Sequence, residues 1–148
     1  MYRYRNLLIL LTIVCVSVPV FAHHIAVVAP KDNGTDAITT AQLVKILKSE
    51  MRSWPDGSNV VVVISKNSPT TLQVLERVCN LSEMEVKALI AAHPSSFIQA
   101  ESDAALLTIV ESKPGALGIV DVHAVTGNHV RVLKVDGKLP MEKGYLPH

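Results

Sequence analysis

Apolar residues follow two kinds of spacing along this chain, and together they predict strands separated by amphipathic helices. Ile25 to Ala29 is a short branched run closed by Pro30 and the turn-prone Lys31-Asp32-Asn33-Gly34, so it predicts a strand and then a loop. Thr39 stands three residues before Gln42, a capping-box spacing, and Leu43, Ile46 and Leu47 recur at helical intervals. A helix from about Thr40 to Lys48 is expected. Trp54-Pro55-Asp56-Gly57 predicts a turn with an apolar anchor, and the unbroken Val60 to Ile64 predicts a strand covered on both faces, taken as the central one.

Ser68 then predicts an N-cap with Pro69 at the first helical position, and Leu72, Leu75, Val78 and Cys79 mark the apolar stripe of that helix. Cys79 on this stripe is expected to be a small buried hydrophobe. Ser82 and Glu85 repeat the capping-box spacing ahead of Val86, Leu89 and Ile90, and Pro94 stops that helix just after His93. Ser102, with Asp103 in the first turn, opens a helix through Leu106, Leu107 and Val110 that ends at Pro114-Gly115. Ala116 to Val122 and Val130 to Val135 predict two more strands, the second closed by the hairpin signal Asp136-Gly137. The order predicts a layered α/β domain with a largely parallel sheet and no linker or repeat.

Ahead of these elements the chain has a different character. Arg3 and Arg5 lie in a polar start, Leu7 to Val20 is apolar, and Val20-Phe21-Ala22 has the small and branched residues of a cleavage site. This is the layout of a secretory signal covering Met1 to Ala22, because the apolar run falls short of the roughly 20 residues that cross a hydrocarbon core. Val14 before Cys15 does not suit lipid attachment. The expected mature chain is one domain, His23 to His148, with no membrane span, located in the periplasm or secreted. It keeps only Cys79, so its fold has to hold by its core rather than by an internal disulfide.

Export also changes the charge. The chain has 14 Lys and Arg against 13 Asp and Glu, and the signal removes two of the former and none of the latter, leaving −1. The remaining basic residues are scattered, which argues against nucleic acid as a partner. Only Trp54, Phe97 and Tyr145 supply aromatic rings after the signal, so Leu, Val and Ile have to fill the core.

The most suggestive chemistry is Ser65-Lys66-Asn67-Ser68-Pro69-Thr70-Thr71, which leads from the apolar strand into a helix start. Free backbone N–H groups and the positive dipole end at such a start, joined by hydroxyls and a lysine, suit an oxyanion, and ordinary capping by Ser68 is the plainer use of the same residues. Ser65, Lys66, Ser68, Thr70 and Thr71 are the candidate ligand-binding set. The six histidines show no helical or finger-type metal spacing. His23, with the α-amino group that cleavage would free beside His24, is a copper-chelating arrangement in principle. Asp121 and His123 lie at the carboxyl end of a strand but accompany no nucleophile motif, so catalytic residues and cofactors are assigned none and the chain is read as non-enzymatic.

The order of these motifs resembles the periplasmic phosphate-binding protein family of ABC transporters, in particular its short, single-lobe relatives. The resemblance runs from Ile25 to Tyr145. It is carried by the helix from Gln42 to Lys48, by Trp54-Pro55-Asp56-Gly57, by the strand leading to Ser68 and Thr70, by Lys113-Pro114-Gly115-Ala116-Leu117-Gly118-Ile119-Val120, and by the closing Val132 to Pro140. It implies one lobe of a type II periplasmic binding protein, a phosphate or similar oxyanion as ligand, and an ABC transporter permease or another envelope protein as partner. Ile64 stands where full receptors place an arginine, and Pro69 replaces the glycine between Ser68 and Thr70, so the bidentate fork and one backbone donor are absent. Weak oxyanion binding linked to ABC-type phosphate uptake is the expected function. The alternative is an envelope interaction or sensor module that kept the fold and lost the solute.

Overall fold

A computed structural model describes residues 24–127 and 129–146. The expected signal, Met1 to Ala22, and His23 lie outside the described residues. In chain order the elements are β1 (Ile25–Pro30), β2 (Ala37–Ile38), α1 (Thr40–Leu47), β3 (Val61–Ser65), α2 (Pro69–Cys79) and α3 (Glu83–Ala92). There follow β4 (Phe97–Ala100), α4 (Asp103–Ser112), β5 (Ala116–Asp121), a single 3-10 turn at Val122–Ala124, β6 (Val130–Val132) and β7 (Lys134–Val135).

The helices begin where the polar spacing placed them. Thr39 accepts the Gln42 N–H while the Gln42 side chain accepts the Thr39 N–H, and Ser82 and Glu85 repeat the reciprocal pair at α3. Helix α1 ends without glycine. Ser49, with φ 59°, donates to the Ile46 carbonyl and Glu50 donates to that of Lys45, the doubled closure that satisfies terminal carbonyls. Asn80, with φ 53°, ends α2 in the same manner.

The main sheet has the order β4-β3-β5-β1-β6. Strand β3 pairs in parallel with β4 and β5, whereas β1 pairs antiparallel with β5 and β6. Two expectations are therefore corrected. The sheet is mixed rather than largely parallel, because β1 runs antiparallel to both of its neighbours, β5 and β6. The middle position belongs to β5, not to the Val60 to Ile64 strand, although all five residues of β3 are buried as a doubly covered strand requires. Strand β4 has no counterpart in the sequence reading; Phe97-Ile98-Gln99-Ala100 is too short to show a period and pairs only with β3.

The expected strand from Val130 to Val135 is two strands. β6 closes the main sheet beside β1, and after Leu133 the chain turns away so that β7 pairs in parallel with β2. Asp136 and Gly137, with φ 51° and 77°, then form the predicted tight turn, bonded both ways between Val135 and Lys138.

Apolar residues fill both faces of the sheet. Val27, Val62, Ile64, Leu117 and Ile119 point to the face covered by α1, α2 and α3, while Ala26, Val28, Val63, Ala116 and Val120 point to the face covered by α4. Alternate residues of one strand thus serve opposite layers. Trp54, Phe97 and Tyr145 are all buried, and the Trp54 indole donates to the Gly115 carbonyl at 2.9 Å, which ties the predicted turn to the start of β5.

Candidate functional site

The parallel strands β3 and β4 end side by side, so the loops that leave them meet. The Lys66 N–H donates to the Ala100 carbonyl, the Asn67 side chain donates to the Glu101 carbonyl at 2.8 Å, and the Lys66 ammonium lies 2.9 Å from the Glu101 carboxylate. The chain from Ser65 to Ser68 is held in place from the neighbouring strand.

Helix α2 starts unlike the other three helices described. Thr39, Ser82 and Ser102 each cap with the side chain, whereas Ser68 occupies the N-cap of α2 and makes no such bond. Its carbonyl accepts the Thr71 N–H at 3.2 Å, Pro69 has no N–H, and the Thr70 N–H has no backbone partner among the described residues. Ser68 and Thr70 are half-buried at this start.

Ser65, Lys66 and Thr71 face a cleft of about 530 Å³ between α2, α3 and the β3–β4 edge, whereas Ser68 and Thr70 lie outside its lining. The sequence set is therefore only partly gathered on this cleft. Ser65 and Thr71 are 4% and 1% exposed, and neither hydroxyl is among the buried polar atoms left without a partner. The cleft adds Lys87 of α3 and Gln99 of β4, neither of which sequence reasoning singled out. Lys87 carries a helical-spacing partner, Glu83, at 2.5 Å, which reads as an ordinary exposed pair until the fold places it on the same cleft as Lys66.

The Asp121 and His123 pair is real but local. Asp121 Oδ1 accepts both the backbone N–H of His123 and a bond with its Nδ1, each at 2.8 Å, and so caps the 3-10 turn. Burial raises the Asp121 carboxyl, but the His123 hydrogen bonds outweigh it and hold it below the usual carboxylate range. Asp103 nearby is pushed up, first by burial and then by the charge of Asp121. Burial also pushes the Cys79 thiol up, away from the nucleophilic thiolate. Among the described residues no three His, Cys, Asp or Glu side chains form a group able to hold a metal ion, and no helix is long and apolar enough to cross a membrane. The copper arrangement at His23 lies outside the described residues.

A family model of the PBP superfamily domain matches residues 13–143. Among solved structures, the chain is similar to a phosphate-binding protein from Stenotrophomonas maltophilia, with TM-score 0.65 and 16% identity over 80% of this chain and 40% of that one. An ABC-type phosphate transport receptor from Vibrio cholerae gives TM-score 0.63 and 17% identity over 80% and 48%. PstS from Borrelia burgdorferi gives 0.61 and 14% over 80% and 49%. The chain spans less than half the length of these structures, and identities this low establish the fold. No curated protein matches the chain.

Proposed function

The chain belongs to the PBP superfamily, and from that premise we propose that it is an exported, non-enzymatic solute-binding-like domain that takes phosphate or a similar oxyanion weakly at the start of α2. In this reading Met1 to Ala22 is removed on export, His23 to His148 is the mature domain, and an ABC transporter for phosphate uptake is the partner system. The observation that carries the reading is the unused cap. Ser68 has a hydroxyl free of the backbone bond its three counterparts make, the Thr70 N–H has no backbone partner among the described residues, and Lys66 stands just before them on a braced loop. Ser68 and Thr70 lie where the helix dipole is positive, which favours an anion.

Weakness follows from the same residues. Ile64 offers no guanidinium fork, Pro69 removes a backbone donor, and Lys66 already has Glu101 as a partner.

Calorimetry of the mature domain with phosphate and with sulfate tests the site, using Ser68→Ala, Thr70→Ala as the control. Heat of binding in the parent and none in the double variant is expected. Identical heats from the two proteins would remove the site.

A further inference from the structure

Beyond the loop itself, we infer that the cleft between α2, α3 and the β3–β4 edge binds an organic anion, a phosphate monoester whose apolar group is about the size of one aromatic ring. The inference rests on the proposed oxyanion chemistry only in sharing Lys66.

Three features of the cleft point to such a ligand. Its volume, about 530 Å³, is within the range of small-molecule sites, roughly 300–1,000 Å³, and far exceeds what an inorganic anion needs. Leu72, Ile90, Pro94 and Phe97 give it an apolar wall, a surface that an inorganic phosphate leaves wet and an organic group covers. Its polar groups are those of an anion site. Lys66 and Lys87 enter from different elements, and Ser65 and Thr71, both more than nine-tenths buried, bring hydroxyls to the lining.

Lysines and hydroxyls on one lining can donate to the oxygens of an anionic head while the apolar wall covers its organic group. Both lysines are tied to carboxylates at the surface, Lys66 to Glu101 and Lys87 to Glu83, with most of each carboxylate side chain in solvent. Exposed pairs of this kind are weak, and a dianionic head can displace them.

The test is calorimetry of the mature domain with phenyl phosphate and, separately, inorganic phosphate, on the parent, Lys87→Gln and Thr71→Val. Lys87 is on the exposed face of α3, so its substitution leaves the fold intact. Phenyl phosphate is expected to bind about tenfold more tightly than inorganic phosphate, from burial of the ring. Lys87→Gln is expected to weaken phenyl phosphate about three- to tenfold and leave inorganic phosphate unchanged, with Thr71→Val acting in the same direction. Equal affinities for the two probes, or no effect of Lys87→Gln on phenyl phosphate, would overturn the inference and leave the loop site standing. Phenyl phosphate binding that depends on Lys87, with no inorganic phosphate binding at all, would support the cleft and remove the loop site. Binding of neither probe overturns both.

Discussion

Tyr145 reaches back across 118 residues to take the backbone N–H of Val27 on its phenolic oxygen, at 3.1 Å. The same hydroxyl donates to the Leu133 carbonyl at 2.7 Å, while the Leu133 N–H donates to the Val27 carbonyl at 2.8 Å. In a continued antiparallel ladder from Val28 and Val132, Val27 would donate to Leu133 directly. The phenol occupies that rung instead, at the residue where the chain leaves the main sheet for β2. Removing the hydroxyl in Tyr145→Phe leaves a buried N–H and a buried carbonyl without partners. We expect a loss of about 1–3 kcal/mol, seen in urea unfolding as a lower midpoint with unchanged slope.

The phenol also makes stability depend on alkaline pH. Burial raises its pKa from 10.0 to about 12. The folded state therefore holds this proton more tightly than the unfolded state does. Its contribution is fully present below pH 10 and is lost as the pH rises from 10 through about 12, by about 3 kcal/mol at most. Unfolding midpoints measured between pH 9 and 12 should fall more steeply for the parent than for Tyr145→Phe. Parallel curves would refute the assignment.

Gly115 fixes where β5 begins. Its φ is 77°, and a Cβ there would lie 2.0 Å from the Asn59 carbonyl oxygen. Its own carbonyl accepts both the Trp54 indole and the Val61 N–H. Gly115→Ala imposes a left-handed conformation on a substituted residue and a clash with immobile backbone at once. A loss of about 3 kcal/mol or more is expected, read as a fall in Tm of about 10 °C or more.

These long-range contacts explain which parts of the fold were readable in the chain. Capping boxes at Thr39 and Ser82 are legible because both partners lie within one turn of helix. The direction of β1 is not, since it depends on pairing with Asp121 and Val130, about a hundred residues away. Val130 to Val135 has the composition of one strand, and only the insertion of Tyr145 beside Leu133 divides it. Ser49 closes α1 in a conformation usually left to glycine, directly after the expected end at Lys48, and that cap had no signal of its own in the chain. At the site, the strand-to-helix loop was visible from Ser65 to Thr71. Lys87 and Gln99 were not, because an exposed lysine on α3 and an edge-strand glutamine acquire meaning only when β4 aligns with β3.

Glu101 sets how available the loop is to an anion. Its carboxylate holds the Lys66 ammonium at 2.9 Å, yet the brace between the two loops does not depend on it, since Asn67 binds the Glu101 backbone carbonyl and Lys66 binds that of Ala100 through main-chain groups. Glu101→Gln therefore removes a competing negative charge while leaving the loop in place. The pair is exposed, so the gain is of the size that surface ion pairs have, and phosphate affinity should rise about two- to fivefold. The gain should shrink as ionic strength rises, because screening weakens the same lysine's attraction for phosphate. Phosphate titrations of the parent and Glu101→Gln at low and high salt check both parts. An affinity unchanged or lowered at low salt would show that Lys66 does not face the bound anion.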